Sequence, residues 1–370
     1  MVMVRKFHGY LIMSSSKQNR KPIPSRCILS VVAGALLATT GASADIIKKA
    51  DMLRGFTTTR AQCAATPQTL WLTVDRQDFC VRYYLSTAGG EGARPVVFLQ
   101  GDYLGKLGPN YTWSDPSGTD DINTDDLMKT ADAFSRMTKT TAIYLARIGV
   151  EGTSGNHIFR KTLLELHLMN AALDAIKQRH GFQGFHLAGQ SGGSKLTGGL
   201  LGMRRDVVCA VFGSGPLSEL SRGTPTDPAR AYFDVSEEVP LLASNRAVRI
   251  LVVTDAADGR VPLKEQKGFV DKMRQAGRQI PQYFVEATDD HHHGVVAYTQ
   301  LVAAGCALGK SDGEIAAAVS TIVKRNSEFN EQRRKEIAAL AKNGIASRQP
   351  VANPQVAPGG FASRATSNRL

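Results

Sequence analysis

Short, continuously apolar segments alternate with longer segments of helical periodicity along most of the 370-residue chain, and this alternation restricts the fold more than any other feature. Pro95–Leu99, Thr141–Ala146, Phe182–Ala188, Val207–Gly213, Val248–Val253 and Gln282–Glu286 read as strands. Pro95–Leu99, Thr141–Ala146 and Val248–Val253 are apolar runs of the kind buried on both faces of a sheet. Between the strands, Lys161–Arg179 carries Leu163, Leu164, Leu166, Met169, Leu173 and Ile176 at helical spacing, and Ser194–Met203 and Lys264–Ala276 also read as helices. Gly294–Leu308 and Gly313–Lys342 continue the helical pattern after the last strand. Ahead of the series, Leu70–Val74 and Phe79–Leu85 form a hairpin around the turn Asp75–Asp78. The expected architecture is α/β, a mostly parallel central sheet with helices on both faces. In such sheets reactive groups gather in the loops past the carboxyl ends of the strands.

The two ends of the chain read differently from its middle. Residues 1–44 carry Arg5, Lys6, Lys17, Arg20, Lys21 and Arg26, then the apolar run Cys27–Ala38, then small residues ending in Ala42-Ser43-Ala44. A basic region, a short apolar core and an A-x-A site make a signal peptide, with cleavage expected after Ala44. The apolar core is shorter than the roughly 20 residues that span a bilayer, so no stable membrane association is expected after cleavage. Residues 45–342 form the expected folded domain. Residues 343–370, rich in Pro, Gly, Ala, Ser and Asn, read as a disordered tail. The net charge of +12 belongs mostly to these ends: residues 45–340 hold only +2. Nothing in the domain calls for nucleic acid.

Four cysteines remain beyond residue 44: Cys63, Cys80, Cys209 and Cys306. An even number in an exported chain favours two disulfides over buried thiols, and of three possible pairings Cys63–Cys80 with Cys209–Cys306 is preferred. Periplasmic or secreted localisation follows from the same reading.

The loop after Phe182–Ala188 is Gly189-Gln190-Ser191-Gly192-Gly193, and a helix follows it. This is G-x-S-x-G between a strand and a helix, the context in which a sharp turn exposes a serine hydroxyl at a helix N-terminus. A serine needs a base, and the base needs an orienting acid. The loop after Val248–Val253 supplies Asp255 and Asp258; the loop after Gln282–Glu286 supplies His291, His292 and His293. Ser, then Asp, then His is the order in which these candidates stand along the chain, the order of α/β-hydrolase triads.

On these residues the chain resembles the α/β-hydrolase superfamily across roughly Leu70–Leu308. The resemblance implies an α/β-hydrolase fold, and the space between Pro216 and Arg246 leaves room for a small cap or none. Asp258-Gly-Arg-Val261-Pro262 is similar to the D-x-x-V-P turn that carries the family's acid. Asp255 is the alternative acid, with turn capping as its other role. His293-Gly294 is similar to the His-Gly pair of the prolyl-oligopeptidase and dipeptidyl-peptidase branch. His293 is therefore preferred as base, with His291 second and His292 pointing away.

The resemblance also implies an oxyanion hole from the N–H groups of Gly192 and Asp102. Gln100-Gly101-Asp102 departs from the family's His-Gly-x, and a carboxylate there is unfavourable unless turned away or paired. Arg147–His157 is similar to the family's loop after the fourth strand, with His157 in a structural role. Adjacent side chains of Asp289–His293 diverge, so no metal is expected, and no cofactor. The expected activity is hydrolysis of a small ester or peptide substrate through Ser191, His293 and Asp258. A catalytically inactive binding protein and an acyltransferase are the alternatives; the oligomeric state is open.

Overall fold

The computed structural model describes residues 46–88, 90, 92–102, 121–218 and 233–342. The expected signal peptide and tail lie outside these ranges, as does 219–232, part of the stretch with room for a cap. In chain order the strands are β1 (Ile46–Ile47), β2 (Thr69–Val74), β3 (Gln77–Leu85), β4 (Val96–Leu99), β5 (Ile122–Asn123), β6 (Ala142–Leu145), β7 (Phe185–Gln190), β8 (Val207–Gly213), β9 (Arg249–Asp255) and β10 (Gln282–Val285). The helices are α1 (Lys49–Arg54), α2 (Arg60–Ala65), α3 (Thr124–Thr138), α4 (Leu163–His180), α5 (Gly192–Met203), α6 (Val239–Ser244), α7 (Leu263–Gln275), α8 (Val296–Ala307) and α9 (Asp312–Lys342).

Eight strands form the main sheet in the order β10-β9-β8-β7-β4-β6-β3-β2, while β1 and β5 pair separately. All neighbours from β6 to β10 run parallel; β3 alone opposes the strands on either side of it. Counted within this sheet, the strands are ordered first, second, fourth, third, then fifth to eighth, with the second reversed. That is the α/β-hydrolase fold. The reversal of winding direction occurs beside β4, between β6 and β7. Connections leaving β4 and β7 therefore part to opposite faces and leave a crevice at the carboxyl ends of those two strands.

Two apolar layers sandwich the sheet. On one face Leu166, Met169, Leu173 and Ile176 of α4, Leu196 and Leu200 of α5 and Phe269 of α7 pack on Val97, Leu99, Ile143, Leu187 and Phe212. On the other, Leu127, Ala131 and Phe134 of α3 and Val302 and Cys306 of α8 pack on Val96, Phe98, Tyr144, Ala188 and Val211. Consecutive residues of β4 thus serve opposite layers, which is why its sequence, Val-Val-Phe-Leu, is apolar throughout.

The strand expectations hold to within three residues at each end. The hairpin turn is tighter than expected: only Asp75 and Arg76 stand outside the ladder, both with positive φ (47° and 63°), as a two-residue turn matching strand twist requires. Helix α3 was not expected. Its signals were present: Asn123 accepts from the Asp125 N–H as N-cap, Asp125 and Asp126 occupy the first turn, and Leu127, Ala131 and Phe134 recur at helical spacing.

Both preferred disulfides form, Cys63–Cys80 and Cys209–Cys306. The first ties α2 to β3, and the second ties β8 to α8 across the buried layer. They close loops of very different size, with separations of 17 and 97 residues. Loop-closure entropy makes the longer one the greater constraint on the unfolded chain. Replacing Cys209 and Cys306 by Ser should cost about 4–5 kcal/mol and the Cys63/Cys80 pair about 3 kcal/mol. Urea denaturation of the two double variants tests that ranking.

Candidate active site

At the carboxyl end of β7 the backbone turns directly into α5. Ser191 takes φ 54° and ψ −119°, left-handed geometry that a side-chain-bearing residue adopts only at a cost of order 1–3 kcal/mol. Two contacts hold it there. The Ser191 N–H donates to the Gly213 carbonyl at 2.7 Å, and the Ser194 N–H donates to the Ser191 carbonyl at 2.9 Å. Gly193 is required by close approach: a Cβ there would lie 2.0 Å from the Leu99 carbonyl oxygen at the end of β4. Gly192 opens α5, so its N–H has no acceptor within the helix.

The loop after β4 presses on this turn. A Cβ at Gly101 would stand 3.1 Å from Ser191 Cβ, and one at Gly192 would stand 2.5 Å from Asp102 Oδ1. The Asp102 carboxylate thus lies against the first residue of α5, where an unpaired anion would oppose any developing oxyanion. It is paired. Arg147 Nη1 meets Oδ1 at 2.9 Å, and Arg160 Nε and Lys161 Nζ meet Oδ2 at 2.8 and 3.3 Å. Burial works against its ionisation, but Arg160, Lys161 and Arg147 together hold the carboxyl well below the usual carboxylate range.

Arg147 is itself buried and divided between partners. Nε and Nη2 each donate to a Glu165 oxygen at 2.9 Å, and Nη1 also donates to the Gln100 carbonyl at 3.1 Å. Burial alone would disfavour the charge on Arg147; Glu165 and Asp102 more than restore it. His157, in the same loop, is fully buried with Nδ1 3.2 Å from the Ile148 carbonyl, and burial followed by the nearby Arg160 keeps its pKa well below the ordinary histidine value. It is held neutral, as a structural residue would be.

Past β9 and β10 lie two histidine–aspartate pairs. His293 Nδ1 stands 3.0 Å from both Asp258 oxygens, and the Asp258 side chain is wholly buried. The N–H groups of Arg260 and Val261 also donate to Asp258 Oδ1 at 2.9 Å. Burial opposes ionisation of Asp258, but the His293 hydrogen bond and charge and these two N–H groups bring its pKa below the ordinary value. His292, at φ 52°, places Nδ1 3.2 Å from Asp255 Oδ2. Asp255 in addition accepts the N–H of Ala257 at 2.8 Å and of Ala287 at 2.7 Å, the turn-capping role. His291 is exposed and takes part through its backbone, its carbonyl accepting the Gly259 N–H at 2.8 Å.

Asp258 and His293 are therefore brought together. The histidine segment also touches the serine turn, since Gln190 Nε2 donates to the His293 carbonyl at 2.8 Å. The side-chain hydrogen bonds described at the site join His293 to Asp258 and do not join His293 to the Ser191 hydroxyl. Sequence reasoning missed three supporting residues. Glu165 is one, buried on α4 four residues after Lys161. Gln190 is the second. Asp289 is the third; its carboxylate closes the histidine loop by accepting the N–H groups of His291, His293 and Gly294 at 3.3, 3.2 and 2.6 Å. Only Asp289 had a local signal, an aspartate opening a turn.

No protein-family model and no curated protein matches the chain. Among solved structures it is similar to an esterase of Pyrococcus furiosus at 10% identity and TM-score 0.46, covering 69% of this chain and 95% of that one. It is also similar to an acylaminoacyl peptidase of Pyrococcus horikoshii at 12% identity and TM-score 0.45, covering 66% of this chain and 41% of the peptidase. An α/β serine hydrolase homologue from Coxiella burnetii stands at 14% identity and TM-score 0.42, covering 65% and 96%. The fold itself rests on the strand order described above.

The ion cluster generates a prediction. Because the folded-state pKa of Asp102 is depressed, its contribution to stability is present above the unfolded value of about 3.9 and fades as pH falls below that toward the folded value. Replacing Asp102 by Asn leaves Arg147, Arg160 and Lys161 short of an anion and should cost about 3–5 kcal/mol at pH 7. The gap between wild type and Asp102→Asn should narrow below about pH 4, as urea melts across pH would register.

Proposed function

We propose that the protein is a serine hydrolase that cleaves an ester or amide bond through an acyl-enzyme, with Ser191 as nucleophile, His293 as base and Asp258 as the acid that orients it. The observation that carries this reading is the pairing of a strained, left-handed serine at a helix start with a buried carboxylate on His293 Nδ1, all at one end of one sheet. With Nδ1 engaged on Asp258, Nε2 is the nitrogen left to take the serine proton. His293 then protonates the leaving group, and water repeats the sequence on the acyl-enzyme.

The Gly192 N–H, free of helical partners, and the Asp102 N–H are the proposed oxyanion donors. The pairing of the Asp102 carboxylate with three cations supports this, because the side chain no longer opposes the charge that develops beside its own backbone. Asp255 serves the turn, and His292 serves Asp255. The two disulfides fit an oxidising compartment, and export by a signal peptide ending at Ala44 is part of the proposal. Among the described residues no helix is long and apolar enough to cross a membrane.

A fluorophosphonate probe should label the native protein at Ser191, and Ser191→Ala should abolish labelling. With p-nitrophenyl acetate, His293→Ala should lower kcat by about 10⁶-fold and Asp258→Asn by about 10⁴-fold, while Asp255→Asn should act mainly on stability. Full activity in His293→Ala would refute the assignment of the base.

A further inference from the structure

Helix α9 follows the helix that the histidine loop leads into, and it returns across the end of β10. From it one polar stripe, Asn326, Asn330 and Arg333, faces the chain leaving β10. Three successive carbonyls there each receive a donor from a successive turn of the helix. Asn326 Nδ2 donates to the Glu286 carbonyl at 3.2 Å, Asn330 Nδ2 to the Ala287 carbonyl at 3.0 Å, and Arg333 Nη1 to the Thr288 carbonyl at 3.3 Å. Side chains double the attachment. Ser327 and Asn330 donate to the Glu286 carboxylate, and Arg333 Nη2 meets Asp290 Oδ1 at 2.9 Å. The Ala287 N–H is held in turn by Asp255 at the end of β9.

We propose that α9 is a clamp that positions the catalytic histidine. Asn326, Asn330 and Arg333 fix the backbone from Glu286 to Thr288, so that His293, five residues beyond Thr288 in a loop closed on Asp289, keeps its imidazole on Asp258. These are positioning residues: none touches His293 itself. The geometry argues for a dedicated role because the bonds run to consecutive main-chain carbonyls of the one segment that leads to the base. Beyond Arg333, residues 334–339 are all exposed. A base displaced by an ångström loses rate far more than binding, which predicts a defect in kcat with little change in KM.

The proposal rests on His293 being the base, and the test separates the two. Asn330→Ala, Arg333→Ala and the double variant are made in the full chain. Gln332→Ala, whose amide bonds only Glu336 on the exposed side, is the control. With p-nitrophenyl acetate the double variant should lose about tenfold or more in kcat with KM within twofold, Arg333→Lys should recover part of the single-variant loss, and the control should match wild type. The downfield proton resonance of the His293 Nδ1–H should broaden or vanish in the double variant, and amide exchange across 287–294 should accelerate while the rest of the domain keeps its protection. Unchanged kcat, resonance and exchange in a folded double variant would overturn the clamp. If the double variant fails to fold, Arg333→Ala, at the half-exposed end of the stripe, decides by the same readouts. If the fluorophosphonate does not label the wild type, the hydrolase reading fails, and amide exchange alone then decides whether α9 holds the loop.

Discussion

The guanidinium of Arg147 is the point on which the end of the sheet turns. It leaves the carboxyl end of β6, engages Glu165 of α4 through Nε and Nη2, and turns Nη1 to the loop after β4. A buried cation of this kind stabilises little compared with well-packed apolar residues, and removing one partner is costly. What it secures is geometry: three chain segments must meet at one place, or a charge is stranded away from water. The loop it fixes is the one lying on Ser191.

Seen from that point, the site is an assembly of loops each tied to its neighbour by a polar contact. Gln190 binds the histidine segment to the serine turn, the His291 carbonyl binds it to the turn that carries Asp258, and Asp255 binds its start at Ala287 to the end of β9. The sheet provides the common floor, since β4, β7, β9 and β10 all end on the same side. The strained backbone at Ser191 persists because the strands, the Gly213 carbonyl and the glycine-lined contact with β4 leave it no other course.

Much of this was legible from residues alone, and the reason is local. Strands buried on both faces announce themselves as apolar runs, and a serine between two glycines at a strand–helix junction is a short-range pattern. Loops after named strands then locate Asp258 and His293 without any structure. Less local features escaped. The role of Glu165 depends on a partner 18 residues away across a strand–helix connection, and Gln190 reaches a carbonyl 103 residues on. Helix α3 was missed although its cap and spacing were readable. The three cations around Asp102 were not foreseen at all, although the need to pair that carboxylate was, because no spacing rule brings residues 102, 147, 160 and 161 together.

Chain order at the site has a consequence for biosynthesis. Ser191 precedes Asp258, His293 and the clamp residues of α9, and Cys306 comes after all but the last of these. A chain emerging from its N-terminus completes the strands on either side of the serine turn before it contains His293. On the proposed reading, the nucleophile is therefore built but unarmed while the chain from Gly213 to His293 is added, and it becomes reactive only once the final helices have been made and have docked.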